Sequence, residues 1–283
     1  MKQIGRYRLD AVEGVGAFAT VWRGHDPELD VTVAVKVLAD NWSHHADVHQ
    51  RFLDEARLLR RIHDGRVVRV HDVGVEDGRP YFVMDFVPGG TLALRIEGLG
   101  TDEALDLAVE AAHAVQALHD HDVLHRDVKP SNLLIDAEGR VLVSDLGSAK
   151  RLAEASGITV TTGTPAYMAP EQAHGRPLDA RTDVYALAVL THELLTGRVP
   201  FDGPLGRTPS DRVAPTGAGA AVDKVLGAAL DPRPDQRPGG AAAFADALEA
   251  SRDAVHPTVP VTLVGALMAV GFAGAAVATW WIA

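Results

Sequence analysis

The chain has 283 residues, no cysteine, and 27 Lys and Arg against 38 Asp and Glu, a formal net charge of -11. That acidity argues against a nucleic-acid partner, whose phosphate backbone needs clustered basic side chains. The lack of cysteine excludes disulfides and thiolate metal sites, and the thirteen histidines are scattered, with His44-His45 lacking the partners a zinc site requires.

Met1 to Arg6 has no apolar run and does not read as a signal peptide. Tyr7 to Glu13, Thr20 to Gly24 and Val31 to Leu38 are short runs rich in β-branched residues, bounded by Gly and Pro, and predict strands. Val48 to Ile62 then places Phe52, Leu53, Ala56, Leu59 and Ile62 at helical spacing. Val67 to Val75 and Pro80 to Phe86 return to strand character. After Pro88-Gly89-Gly90 the composition turns helical, and Thr101 is expected to cap a long Ala/Leu/Val pattern that ends near His119. Ser156 to Thr164 and Asp202 to Gly219 read as loops, and Ala241 to Ala250 as a final helix.

From Val259 to Ala283 there is no charged residue. A bilayer core needs roughly 20 apolar residues in a helix, and Trp280-Trp281 suits the headgroup level. The pattern predicts an α+β chain: a strand-rich lobe over residues 1–87, a helical lobe over 88–250, a linker over 251–258 and a transmembrane helix over 259–283. Gly271 with Ala275 and Ala269 with Ala273 have the small-xxx-small spacing that would allow a homodimer in the membrane.

The chemistry is concentrated in a few runs. Glu13-Gly14-Val15-Gly16-Ala17-Phe18-Ala19-Thr20-Val21 joins two strands, and its glycines let backbone N–H groups approach phosphate oxygens. It does not open a helix, which argues against a dinucleotide fingerprint. Val33-Ala34-Val35-Lys36 carries one cation on a strand, and Glu55 on the next helix is placed to pair with it. The run His125-Arg126-Asp127-Val128-Lys129-Pro130-Ser131-Asn132-Leu133-Leu134 is followed by Ser144-Asp145-Leu146-Gly147. Phosphoryl transfer needs a carboxylate to orient the attacking hydroxyl, a cation near the moving group and oxygen ligands for Mg²⁺. Asp127, Lys129 and the pair Asn132 with Asp145 supply those groups within twenty residues.

These runs, in this order, resemble the protein kinase family, and specifically the bacterial eukaryotic-like Ser/Thr kinases, over about Tyr7 to Ala250. The resemblance implies the two-lobed protein kinase fold and transfer of the ATP γ-phosphoryl group to protein Ser/Thr hydroxyls. It implies Mg²⁺, with Mn²⁺ as a substitute. By resemblance, Lys36 would contact the α- and β-phosphates and pair with Glu55. Asp127 would be the catalytic base with Lys129 beside the γ-phosphate, and Asn132 and Asp145 would bind the metal. The glycine-rich turn from Glu13 through Gly14, Val15 and Gly16 would cover the nucleotide. Met84 would guard the adenine pocket, Asp85 to Val87 would form the hinge, and Val21, Ala34 and Leu134 would sandwich the base. Gly163-Thr164 and Ala169-Pro170-Glu171 would shape the substrate segment, Asp183 would anchor the catalytic loop and Arg237 would pair with Glu171. Leu59, Val70, His125 and Leu146 match a column linking the lobes. Arg126 would clamp a phosphate on Thr159, Thr161 or Thr162, so autophosphorylation is expected.

Glu13 departs from the family, which has an aliphatic residue there, as does Ala19 in place of the third glycine and Leu146 in place of Phe. Between Phe201 and Asp223 a docking helix is expected to be reduced or absent. The resulting expectation is a single-pass cell-membrane protein with its kinase domain in the cytoplasm, where ATP is available, acting on protein substrates. A pseudokinase scaffold is the alternative. A small-molecule phosphotransferase would lack the segment from Gly163 to Glu171.

Overall fold

The computed structural model describes residues 3–42, 45–146, 165–201 and 213–255. The N-terminal part is a six-stranded sheet in the order β1-β2-β3-β4-β6-β5, antiparallel at each pairing. Its strands are β1 (Gln3–Ile4), β2 (Tyr7–Val15), β3 (Ala19–Asp26), β4 (Val31–Leu38), β5 (Val70–Glu76) and β6 (Arg79–Asp85). The two faces follow from strand alternation. Val33, Val35 and Val37 join Tyr7, Leu9, Tyr81 and Val83 in an outer apolar cluster, while Ala34, Leu38, Phe82 and Met84 belong to the main core. β5 and β6 are joined by Asp77-Gly78, both at positive φ (49° and 76°), the two-residue turn whose twist suits a hairpin.

Helix α1 (Ala46–Arg61) buries Val48, Phe52, Ala56 and Leu59 against this sheet. The helical lobe is built on α2 (Thr101–His119), whose many alanines let neighbours approach closely. The hairpin β7 (Leu133–Ile135) and β8 (Val141–Val143) lies beside it. The rest of the lobe is α3 (Pro170–Ala173), α4 (Ala180–Thr196), α5 (Ala220–Ala229) and α6 (Ala241–Val255). Asp179 caps α4 by accepting from the Arg181 N–H, and Gly197, at φ 71°, ends it in the left-handed conformation.

Several expectations change in detail. The fifth strand starts at Val70, not Val67. Residues before it leave the sheet and pair with β8: Val68 N–H donates to the Val143 carbonyl and Val143 N–H to that of Arg66. Thr101 is the first residue inside α2 and makes no capping hydrogen bond; Gly100 holds the cap position, and Asp102 and Glu103 in the first turn complement the helix dipole. The last helix runs to Val255 rather than Ala250, so the expected linker begins as helix, with Ser251 bonding back to the Leu248 carbonyl. Val213 to Gly219 carries no helix, whereas Asp223 lies inside α5 and accepts from the Thr216 N–H and hydroxyl. Residues 202–212, the loop over 156–164 and the apolar run over 259–283 lie outside the described residues. Among the described residues no helix is long and apolar enough to cross a membrane.

Candidate active site

The cleft between sheet and helical lobe gathers its residues from both lobes. On β4, Lys36 sits across from Val21 on β3 and Phe82 on β6. Strand alternation turns it toward the core face, where its ammonium lies 5.4 Å from the Phe82 ring centroid. There it donates to Glu55 Oε1 at 2.9 Å and Asp145 Oδ1 at 2.7 Å. Burial alone would lower the Lys36 pKa, but Asp145 and Glu55 outweigh it and the pKa rises, which keeps the side chain charged. Glu55 is buried on the inner face of α1, and Asp145 follows β8.

Opposite them, Asp127 accepts from the Lys129 ammonium at 2.8 Å and from Asn132 Nδ2 at 2.9 Å. Asn132 Nδ2 also donates to the Asp127 carbonyl at 2.8 Å, closing the loop on itself. The Asn132 carbonyl accepts from the N–H and hydroxyl of Ser144, which ties this loop to the segment carrying Asp145. With both amide hydrogens of Asn132 turned to Asp127, its side-chain oxygen remains for another partner. That oxygen and the Asp145 carboxylate are hard donors of the kind Mg²⁺ takes. Among the described residues no three His, Asp or Glu converge into a full protein cage. The donor set therefore fits an ion completed by phosphate oxygens and water.

The loop rests on Asp183 of α4. Its carboxylate accepts from His125 N–H at 2.9 Å, Arg126 N–H at 2.7 Å and His119 Nε2 at 2.9 Å. Arg126 stands at φ 65°, and its carbonyl accepts from Gln172. Lower down, buried Arg237 donates to both oxygens of Glu171 at 2.7 and 2.9 Å, and the Thr182 hydroxyl adds 3.0 Å to the same carboxylate. Burial alone would raise the Glu171 pKa, but Arg237 and the hydrogen bonds to this carboxylate hold it below its ordinary value.

The residues expected to enclose adenine belong to or border one core. Met84 is buried and pairs with Ala34, and Val21, Val87 and Leu134 pack against the core from the edge of the cleft. Gly89 is pressed on β7: a Cβ there would stand 2.0 Å from the Ile135 carbonyl oxygen. Gly14 and Gly16 lie in the β2–β3 hairpin beside exposed Val15, and Glu13 points to Arg23 at 3.6 Å. Asp85 accepts from His71 Nε2 at 2.6 Å and from the Arg69 N–H. Leu59, Val70, His125 and Leu146 are all buried, Leu59, Val70 and Leu146 within the one core. Gly147, Thr159, Thr161, Thr162, Gly163 and Thr164 lie outside the described residues. Sequence reasoning missed His119, Ser144, Gln172 and Thr182, each of which works through a partner distant in the chain. Thr182, beside Asp183, and Ser144, beside Asp145, carried a local hint.

The family model for the protein kinase domain matches residues 7–217. The chain is 39% identical over 214 residues to the probable serine/threonine-protein kinase PknB of Lactococcus lactis, covering 72% of this chain and 34% of that one. It is 38% identical over 205 residues to the serine/threonine-protein kinase PrkC of Bacillus subtilis, covering 70% and 32%. With PknA of Corynebacterium glutamicum the identity is 36% over 277 residues, covering 90% and 58%. The chain thus spans about a third of the length of the first two relatives and 58% of the third. Among solved structures, the PknI kinase domain of Mycobacterium tuberculosis superimposes with a TM-score of 0.71 at 27% identity, over 88% of this chain and 97% of that one.

Proposed function

This chain belongs to the protein kinase family, with the two-lobed fold of the bacterial eukaryotic-like Ser/Thr kinase domains, and we propose that it transfers the γ-phosphoryl group of ATP to Ser and Thr hydroxyls of proteins. The observation that carries this is the pairing of two preset charge clusters across one cleft. Lys36 is held by Glu55 and Asp145, and Asp127 is held by Lys129 and Asn132.

In this reading Asp127 accepts the proton of the attacking hydroxyl as its oxygen bonds to phosphorus and the bond to the β-phosphate oxygen breaks. Lys129 offsets charge on the moving group, and Lys36 holds the remaining phosphates. Asn132 and Asp145 would hold Mg²⁺, or Mn²⁺ in its place, and the bound ion supplies electrostatic screening of the phosphate oxygens. Met84, Ala34, Val21 and Leu134 enclose the adenine, with Asp85 to Val87 as the hinge. The proposal extends to lobes over 1–87 and 88–250, and to autophosphorylation at Thr159, Thr161 or Thr162 with Arg126 as the phosphate's partner. It also extends to a single membrane helix over 259–283, which allows a homodimer and leaves the kinase domain on the cytoplasmic face.

The test is incubation of the full chain with Mg²⁺ and labelled ATP, beside Asp127→Asn. Label on Thr and Ser that the variant loses by at least about a hundredfold supports the reading. Equal labelling by the variant, or nucleotide binding without any transfer, overturns it.

A further inference from the structure

The chain is acidic as a whole, yet residues 57–71 contain five arginines against one acidic residue, Asp64. Arg57, Arg60 and Arg61 lie at i, i+3 and i+4 on the last turns of α1, and Arg69 follows just before β5; all four are exposed. Arg57 pairs with Asp54 on its own helix, and Arg66 with Glu110 of α2. Arg60, Arg61 and Arg69 make no ion pair among the described residues. A helix C-terminus favours a basic residue or two in its last turn, which accounts for Arg60 and Arg61 but not for Arg69 on another element.

Two further features say where this basic face looks. At about 100° per residue, Arg57, Arg60 and Arg61 stand roughly 140° to 240° around α1 from Glu55. Glu55 faces Lys36, so the arginines face away from the cleft. Arg66 holds Glu110, and one helical turn back on α2 Asp106 pairs with Arg252 near the end of α6. The basic run, through Arg66, and the last turns of α6, through Arg252, are therefore both tied to one helix, α2. The residues after α6 lead to the charge-free run over 259–283.

We propose that Arg60, Arg61 and Arg69 bind the anionic phospholipid headgroups of the membrane, seating the back of the sheet lobe on the bilayer while the cleft stays open. The inference rests on the membrane-anchoring reading for its geometry, and its test separates the two. Juxtamembrane arginines each strengthen association with an anionic surface about fivefold.

The experiment places the full chain in nanodiscs of phosphatidylcholine alone and of phosphatidylcholine with one-third phosphatidylglycerol. Phenylglyoxal modification of each arginine is then followed by mass spectrometry. Modification of Arg60, Arg61 and Arg69 is expected to slow about fivefold or more in the anionic discs. Exposed Arg8 and Arg233 should react alike in both, and added salt should remove the protection. Equal rates at the three arginines in both discs overturn the proposal and would point to an acidic protein partner. A chain that fails to enter neutral discs sinks the anchoring reading alone. The arginines are then tested by sedimentation of the full chain with anionic vesicles. Wild type is expected to partition about a hundredfold better than the R60Q/R61Q/R69Q variant, and equal partitioning overturns the proposal.

Discussion

Removing Arg237 strands a buried carboxylate, and the size of the effect can be worked out in advance. The Arg237 side chain is 0% exposed and that of Glu171 4%. Besides its two bonds to Glu171, Arg237 donates to the carbonyls of Asp231 at 2.7 Å and Arg181 at 3.0 Å. Arg237→Met leaves Glu171 with the Thr182 hydroxyl as its remaining side-chain donor. Breaking a buried pair from one side costs about 3–5 kcal/mol. In a domain of this size each kcal/mol lowers Tm by about 2–4 °C, so a fall of about 6–20 °C is expected. The double variant Glu171→Met with Arg237→Met removes both charges and should recover at least half of the loss, because no charge is left uncompensated. The pH dependence has a defined sign. The folded-state pKa of Glu171 lies below its ordinary 4.5. Its contribution is therefore complete above about 4.5 and fades as pH falls through the folded value. Acidification should narrow the gap between wild type and Arg237→Met, since it neutralises the stranded carboxylate. Urea titrations at pH 7 and at about pH 4 measure both effects. A single-variant loss under about 1 kcal/mol, or a gap that widens in acid, refutes the reasoning.

Four more outcomes follow from the geometry. Gly89→Ala drives a methyl into the Ile135 carbonyl and should cost about 1–3 kcal/mol while weakening ATP binding at the hinge. Gly65→Ala, whose Cβ meets nothing within 4 Å, should be near neutral in the same denaturation assay. Asp183→Asn turns an amide donor toward one of the N–H groups of the catalytic loop. It should destabilise by about 1–3 kcal/mol and lower kcat more than it raises the KM for ATP in steady-state kinetics. Lys36→Met removes a side chain that bridges Glu55 and Asp145, and transfer should fall at least about a hundredfold in a labelled-ATP assay with circular dichroism unchanged.

Much of the site was legible because its chemistry is written locally. Asp127, Lys129 and Asn132 lie within six residues, and a polar loop of that composition has little reason to exist without a charged ligand. Lys36 with Glu55 was suggested by a cation on a strand and an acid on the next helix, and the family resemblance named them as a pair. What escaped were contacts between residues far apart in sequence. His119 reads as the ordinary end of an amphipathic helix, and nothing near it in the chain shows that Asp183, 64 residues on, will lie within 2.9 Å. The start of β5 differs from expectation for a similar reason. Val67 and Val68 have strand character, but their partner is Val143 in the other lobe. Thr101 is not the cap, because Gly100 takes the extended cap conformation and leaves Thr101 inside the first turn.

The backbone at Arg126 shows why a carboxylate belongs at position 183. A residue other than glycine at φ 65° costs about 1–2 kcal/mol. Hydrogen bonds to a charged acceptor are worth about 1.5–3 kcal/mol each. Asp183 accepts two such bonds from adjacent N–H groups of this turn, and His119 donates a third. The two backbone bonds alone exceed the strain, so the left-handed turn is held rather than tolerated. That turn directs the chain so that Asp127, the next residue, meets Lys129 and Asn132. The strained residue and the buried acid are therefore one device, and loss of the acid should release the turn before it disturbs α2 or α4.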